Sequence, residues 1–328
     1  MTGRADVEIA GSGLAEVTCA WLLAARGHRV RLRPRPDGGR RPLLLGESTL
    51  ALLHSLWGIA GPAELGLTTH ELTHRRARWG AGPAAPRIGA PAVVLDGAQL
   101  AARLLDRLAA HHPDAVAGEP GGGGAPQWTV TAASHPDDRW TAGRRRLLAG
   151  EAALAPGQHD TTARLACTEL AWLHLTPLGD GSALLQAMIP GPAAHPENLL
   201  GRLLAASALA PRLLRAPTAA VTLPAAPRLH RAPATAPTPH TPGRLLVGAG
   251  AIRYDPLSGT GTAQALRTAV LATAVIHAAA DGTSPQALCA HYTGRLRTAF
   301  RAHLATCARL YPQAFPSPAW HHEIDACR

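Results

Sequence analysis

Two glycine-containing segments of this chain have the residue types and positions needed to bind an anionic ligand. The first is Gly11-Ser12-Gly13, which follows a short strand pattern at residues 7–10 and precedes a helical pattern from Leu14 to Arg26. Glycine permits a tight turn and a close backbone approach, and free N–H groups at the start of a helix attract phosphate. We therefore predict that Gly11 and Gly13 contact the diphosphate of a dinucleotide.

The second segment lies near the other end of the chain. A strand and turn at residues 245–250 precede the loop from Tyr254 to Gly261, and a long apolar helical pattern from Thr262 to Ala280 follows. The positive end of that helix would stabilise a ring that becomes anionic on reduction, such as the pyrimidine edge of a flavin. We predict that the flavin contacts Gly248, Asp255, Pro256, Gly259 and Gly261.

The elements around the first turn form a βαβ unit. The helix stops at Gly27, and Val30-Arg31-Leu32 supplies the next strand. Two positions depart from the usual dinucleotide pattern, because Glu16 takes the place of the third glycine and Arg33 stands where an acid would bind ribose. Weak cofactor binding is therefore expected. Arg40, with its neighbour Arg41, is predicted to meet the diphosphate from the loop after the second strand.

The loop from Tyr254 to Gly261 resembles the C-terminal flavin motif of the flavin-dependent monooxygenases and halogenases. Together with Gly46-Glu47-Ser48-Thr49 and Ala265-Leu266-Arg267, it more narrowly resembles flavoproteins that modify a partner protein's tryptophan during maturation of quinone-cofactor enzymes. In that pattern an Asp would stand at Ala249, and another at Trp140.

The resemblance implies FAD as the cofactor, reduced by an external flavin reductase or by NAD(P)H. It also implies a monooxygenase that hydroxylates an aromatic small molecule or a tryptophan in a partner peptide or protein. The halogenases of this superfamily need an active-site lysine, whereas all 32 basic Lys-plus-Arg positions here are arginine. Hydroxylation is therefore preferred to halogenation, and a non-catalytic protein that retains the fold is the other alternative.

The order of patterns predicts an α/β fold, in which a Rossmann-type FAD-binding domain interleaves with a mixed-sheet substrate domain and ends in helices. FAD-binding segments are expected at 1–78, 97–165 and 241–282, substrate-domain segments at 79–96 and 166–240, and C-terminal helices at 283–328. A hairpin is predicted from Trp172 to Pro190. The glycine-rich stretch Glu119 to Pro126 is expected at a hairpin tip, and the proline-rich stretch Pro224 to Pro242 is expected to form no regular strand and to be either flexible or partner-facing.

Composition excludes several other classes. The net charge is +10, but the arginines are dispersed and no aromatic stacking array accompanies them, so nucleic acid is not an expected partner. Five cysteines without a Cys-x-x-Cys pair disfavour a zinc site or a disulfide framework. No apolar stretch of membrane length lacks a charge, so we expect a cytoplasmic protein that binds neither metal nor membrane. The tryptophans are expected either to pack the core or to line an aromatic pocket; those considered are Trp79, Trp128, Trp140 and Trp172.

Overall fold

The computed structural model describes residues 3–35, 41–80, 82, 86–116, 125–155, 160–191, 198–207, 209 and 220–328. The strands are β1 Asp6–Ala10, β2 Arg29–Arg33, β3 Pro42–Gly46, β4 His70–Arg78, β5 Ile88–Asp96, β6 Trp128–Thr131, β7 Arg139–Thr141, β8 Arg146–Ala153, β9 Thr162–Cys167, β10 Trp172–Pro177, β11 Ser182–Ile189, β12 Val221–Pro224, β13 Arg228–His230, β14 Ala234–Thr235, β15 Gly243–Leu246 and β16 Ile252–Arg253. The α-helices are α1 Leu14–Ala25, α2 Glu47–Trp57, α3 Gly97–His111, α4 Pro113–Val116, α5 Leu199–Ala206, α6 Gly248–Ala251, α7 Gly261–Ala280, α8 Pro285–Ala314 and α9 His321–Asp325.

A five-stranded sheet in the order β14-β15-β6-β1-β2 carries the first glycine turn. Strand β1 runs parallel to both β2 and β6, and β15 runs parallel to β6, so the predicted βαβ unit is confirmed. The inward-facing residues of β1, Val7 and Ile9, are completely buried. Helices α1 and α7 pack against each other beside this sheet. The two glycine-containing turns therefore belong to one structural layer.

An eight-stranded sheet in the order β12-β8-β11-β10-β9-β4-β5-β3 forms the second layer. The predicted hairpin is confirmed as β10 and β11, which pair with Leu175 opposite Leu185 and His174 opposite Gln186. Because side chains alternate along a strand, the two leucines lie on the face that α5 covers. The histidine and glutamine lie on the opposite face, which looks toward the first layer.

A three-stranded sheet in the order β16-β13-β7 pairs two strands from the C-terminal half of the chain, β13 and β16, with β7 from the middle of the sequence. The prediction that Pro224 to Pro242 contains no regular strand is therefore wrong, since β13 and β14 both lie within it. Proline removes a backbone donor only at its own position, and these short strands lie between the prolines. Pro224 itself ends β12, which is an edge strand, where a missing donor is tolerated. The expected hairpin tip at Glu119 to Pro126 falls mostly on residues outside the described ranges.

These parallel and antiparallel sheets with their covering helices confirm the predicted α/β class. The eight-stranded sheet takes β3 and β4 from within residues 1–78 and β8 from within 97–165, and the exact domain boundaries stay a prediction. Among the described residues, α7 is the one helix that is long and apolar enough to cross a membrane. Half of its apolar window is buried inside the protein, and α7 contacts α1, α2 and α8, as a core helix does.

Candidate cofactor and substrate site

A cavity of about 510 Å³ lies between the five-stranded and eight-stranded sheets. Five parts of the chain line it: the start of α1, β3, the start of α3, the inner face of β10 and β11, and the segment from Ala249 into α7. Its lining includes five of the residues predicted from sequence, namely Gly13, Asp255, Pro256, Gly259 and Gly261. A volume of this size is typical of cofactor and small-molecule sites.

The start of α1 opens into this cavity. Gly13 is the N-cap residue of this helix, and both Gly13 and Leu14 line the cavity. Gly11 does not line the cavity. It has a φ of 137°, which favours glycine, and its N–H donates to the carbonyl of Arg33 at 3.0 Å. Gly11 therefore shapes the turn and Gly13 lines the cavity, and the diphosphate contacts predicted for both stay predictions.

Glu16, at the third position of the glycine pattern, lies directly beneath the turn. Its side chain is buried, and Oε1 accepts a hydrogen bond from the backbone N–H of Ala132 at 2.9 Å. A Cβ atom on Gly11 would lie 2.6 Å from Oε1, and one on Gly13 would lie 2.8 Å from Oε2. A Cβ at either position would therefore displace the end of the Glu16 side chain. This carboxylate also places negative charge at the helix end that would bind diphosphate.

The loop before α7 is held from behind by Asp255, which is 1% exposed. Its Oδ1 accepts from the N–H of Leu257 at 2.9 Å, while Oδ2 accepts from Arg145 Nη1 and from the Tyr311 hydroxyl, each at 2.9 Å. Burial opposes the charge on Arg145, but Asp255, Tyr311 and two nearby cysteines together outweigh it and raise the pKa of the guanidinium. Asp255 therefore contributes to the site by fixing the loop, with its carboxylate engaged in the core.

The N-terminus of α7 is open. Gly259 has a φ of 60°, and Thr260, the N-cap residue, makes no side-chain cap bond. A Cβ on Gly259 or on Gly261 would meet no atom within 4 Å. Gly248 is placed differently, because its N–H donates to Thr268 Oγ1 at 2.8 Å and it does not line the cavity. Gly248 thus joins β15 to α7, and its predicted cofactor contact remains untested.

The residues around the cavity fit both the diphosphate and the flavin ring of FAD. The starts of α1 and α7 both border the cavity, and their N–H groups would suit a diphosphate and a pyrimidine edge. Arg40 lies outside the described residues, and its neighbour Arg41 lines the cavity. Ala249, where the family pattern has an acid, also lines the cavity but has no side-chain acceptor for a ribityl hydroxyl. The cavity therefore fits FAD through its shape and the helix N-termini, with fewer polar side-chain contacts than the family's flavin motif would supply.

The opposite wall comes from β10 and β11, which sequence reasoning left without a role. His174, Thr176, Leu184 and Gln186 line the cavity from this side. Thr176 Oγ1 lies 3.1 Å from His174 Nδ1, and burial, with a contribution from Arg75, lowers the pKa of His174 to about 4. The imidazole is neutral near pH 7. The signal in the sequence is a pair of polar residues two positions apart within an apolar strand, which places both on one face.

The tryptophans considered from sequence pack elsewhere, since none of the four is among the residues that line this cavity. Trp172 donates to the Tyr311 hydroxyl at 3.0 Å, and Trp79 contacts the rings of Tyr311 and Phe315. Trp140 is 44% exposed beneath the guanidinium of Arg297. The packing interpretation therefore holds for Trp79, Trp128 and Trp172, whereas Trp140 is exposed and does not line this cavity.

No protein-family model matches the sequence, and no curated protein matches it either. Solved structures show that the fold is that of flavin-dependent monooxygenases and halogenases. The peptidyl tryptophan dihydroxylase QhpG superposes with a TM-score of 0.74 at 18% identity, over 98% of this chain and 78% of that one. The flavin-dependent halogenase CmlS gives 0.77 at 18% identity, over 98% and 68%. PqsL from P. aeruginosa, solved with 2-aminobenzoylacetate, gives 0.67 at 16% identity, over 98% of both chains. These likenesses confirm the predicted resemblance at the level of the fold.

Proposed function

We propose that this protein is an FAD-dependent monooxygenase that hydroxylates an aromatic substrate, either a small molecule or a tryptophan in a partner peptide or protein. The observation that carries this proposal is the cavity in which the open N-termini of α1 and α7 meet the polar-lined wall of β10 and β11. The structural neighbours of this chain include a peptidyl tryptophan dihydroxylase and a probable FAD-dependent monooxygenase.

In this proposal the backbone holds most of the cofactor. The N–H groups after Gly13 bind the diphosphate, assisted by Arg41, and those around Gly261 and Thr262 bind the pyrimidine edge. Bound FAD, reduced by an external flavin reductase or by NAD(P)H, would supply the reducing power for transfer of an oxygen atom from O₂ to the substrate. Asp255 keeps the loop of Gly259 in place through its bonds to Arg145 and Tyr311.

The wall of β10 and β11 orients the substrate. His174 is neutral because of its lowered pKa, so its imidazole is able to donate or accept a hydrogen bond without introducing charge. Gln186 lies directly opposite it on the neighbouring strand and supplies an amide. Leu184 and Ile252 also line the cavity and exclude water from the reacting region. The side chains of this wall thus orient the substrate and keep water away from the reacting region.

Two further functions compete with hydroxylation. Halogenases are among the structural neighbours, but the chain has no lysine to relay a halogenating species, so halogenation is disfavoured. A non-catalytic protein with the same fold is favoured by the carboxylate of Glu16 beneath the diphosphate turn and by Ala249. In either case we expect no nucleic acid or membrane partner and a cytoplasmic location, which stay predictions.

The deciding experiment measures FAD binding and oxygenation separately. Purified protein is titrated with FAD by flavin fluorescence, and then supplied with a flavin reductase, NADH and indole-containing small molecules or tryptophan peptides. Saturable FAD binding and a mass gain of one or two oxygen atoms in a substrate would support the proposal. Binding without any oxygenated product would favour the non-catalytic alternative, and the absence of saturable binding would overturn both flavin-based functions.

A further inference from the structure

Three arginines lie on one face of the sheet formed by β7, β13 and β16. Arg228 on β13 is directly opposite Arg253 on β16, and His230 on β13 is directly opposite Arg139 on β7. Directly opposed residues of antiparallel strands share a face, and residues 228 and 230 share one because side chains alternate. The three guanidinium groups and the histidine therefore point to the same side of the sheet.

This arrangement is unfavourable for the protein alone. Like charges placed directly opposite each other destabilise a strand pair. Burial, followed by the repulsion of Arg139 and Arg253, lowers the pKa of Arg228 to about 10, and burial also lowers the pKa of Arg253. Of the three, Arg139 has firm protein partners, since its Nε and Nη2 atoms donate to Ser134 Oγ at 3.1 and 2.7 Å. The other two lack comparable hydrogen bonds within the described residues.

The nearby acids leave this charge largely uncompensated. Asp255 acts on Arg253, but its carboxylate is hydrogen-bonded to Arg145, Tyr311 and Leu257. Asp138 is mostly exposed and lies 3.9 Å from His230 Nε2. Among the described residues, two buried nitrogens of this face have no hydrogen-bond partner, namely Arg228 Nε and His230 Nε2. Buried polar atoms of this kind are ordinarily satisfied, so these two indicate a missing acceptor.

Arg253 connects this face to the cavity, because it lines the cavity directly before Tyr254 and the loop into α7, whereas Arg139 and Arg228 lie on the neighbouring strands and are not among the lining residues. We propose that Arg139, Arg228 and Arg253, which we call the arginine face, form an anion subsite that binds a carboxylate or phosphate group of the substrate. This inference rests on the proposed function and narrows its substrate class to acidic aromatic molecules or acidic peptide segments. Guanidinium groups suit such oxyanions because their planar N–H donors bind two oxygens at once.

The diphosphate of FAD is the competing source of the same chemistry. The open N-terminus of α1 at Gly13 already offers that group a site, whereas Arg253 approaches the cavity from the strand that leads toward α7. A substrate group is therefore the better match to the arginine face. The experiment distinguishes the two sources because it measures the binding of FAD and the binding of a substrate probe separately.

The test compares indole-3-acetate with its neutral analogue indole-3-acetamide by isothermal titration calorimetry on the full-length protein, with and without FAD. We expect wild type to bind the acetate at least tenfold more tightly than the acetamide. Arg228→Gln and Arg253→Gln should reduce this ratio to near one and leave acetamide binding in place. Arg295→Gln, an exposed arginine on α8, serves as the matched control and should retain the ratio.

A second measurement separates a binding role from a structural one. Because Arg228 and Arg253 repel each other, Arg228→Gln should melt at the wild-type temperature or above it, although it binds the acetate less well. A lower melting temperature together with weaker binding of both probes would indicate a structural role and overturn the proposal. The proposal is also overturned if wild type does not prefer the acetate, or if Arg228→Gln weakens FAD binding tenfold while the acetate preference persists.

Failure of the proposed function is visible independently. A protein that prefers the acetate but oxygenates no aromatic compound would keep the anion subsite and lose the monooxygenase assignment. A protein that oxygenates aromatic compounds without regard to their charge would keep the monooxygenase assignment and lose the subsite.

Discussion

The starts of α1 and α7 open into the same cavity, and they differ in charge although both are glycine-rich. Each N-cap residue makes no side-chain cap bond. In α1 the first turn contains Glu16, whose carboxylate lies beneath the turn, whereas the first turn of α7 contains no acid. A helix N-terminus attracts an anion only to the extent that its positive end is not already neutralised. Glycine spacing alone therefore does not determine how strongly such a turn binds phosphate.

The two turns are also supported differently. Glu16 joins the α1 turn to the end of β6 by accepting a hydrogen bond from the Ala132 N–H. The loop before α7 rests on a buried ion pair between Arg145 and Asp255, to which Tyr311 and the C-terminal helices add further contacts. The α7 end of the cavity therefore rests on a buried ion pair, whereas the α1 end carries an internal carboxylate.

The largest effect is expected from removing the support of the α7 loop. Arg145→Met leaves the carboxylate of Asp255 buried without its cationic partner, which costs about 3–5 kcal/mol of unfolding free energy. Urea denaturation followed by circular dichroism measures this loss. Arg295→Met on the exposed surface of α8 should change stability by no more than about 0.5 kcal/mol. Equal stability of the two variants would show that the ion pair does not hold the loop.

A carboxylate added to the open turn should make α7 resemble α1. Gly261→Glu places an acid in the first turn of α7, where a Cβ meets no atom within 4 Å, so the variant is expected to fold. FAD should bind more weakly by about 1.5–3 kcal/mol, the range for a hydrogen bond to a charged group. Fluorescence titration with FAD measures the change, and Gly261→Gln controls for size. If the glutamate and glutamine variants bind FAD equally, charge at this end has no influence.

The converse change should make α1 resemble α7. Glu16→Gln keeps an acceptor for the Ala132 N–H but removes the negative charge, so FAD should bind more tightly by about 1 kcal/mol. The same titration measures this gain. Glu8→Gln, on the neighbouring strand β1, provides a control with the same loss of charge. Unchanged or weaker FAD binding in Glu16→Gln alone would mean that the carboxylate does not oppose the cofactor.

The smallest effects should come from a paired substitution of alanine for glycine. Gly13→Ala brings a Cβ to 2.8 Å from Glu16 Oε2, so the carboxylate must move, and about 1 kcal/mol of stability is lost with its hydrogen bond. Gly261→Ala meets no neighbour and should stabilise by about 0.4–1 kcal/mol through reduced freedom of the unfolded chain. Thermal melting compares the two, and adding Glu16→Ala should remove most of the penalty at position 13. A penalty that persists in the double variant would point to a cause other than Glu16.

Much of the fold was accessible from local patterns. The βαβ unit, the hairpin of β10 and β11 and the long helix α7 each depend on periodicity and turn residues within a short stretch. The prediction for the proline-rich stretch was wrong because prolines break strands only where they stand, and two short strands fit between them. Sequence analysis gave no role to His174 and Gln186. The pairing of the two strands must be known before one can tell that these polar side chains share a face.

The amino-acid sequence by itself determined the two glycine turns, the departures at Glu16 and Ala249, and the absence of lysine, since each is read from residue type at a single position. Only the tertiary structure decided what those positions do. The carboxylate of Glu16 reaches a backbone N–H 116 residues away, and that of Asp255 meets a guanidinium 110 residues away. The arginines of three separate strands likewise share a face only through strand register. Burial and charge at these sites depend on contacts between distant segments, and local sequence patterns contain no information about those distances.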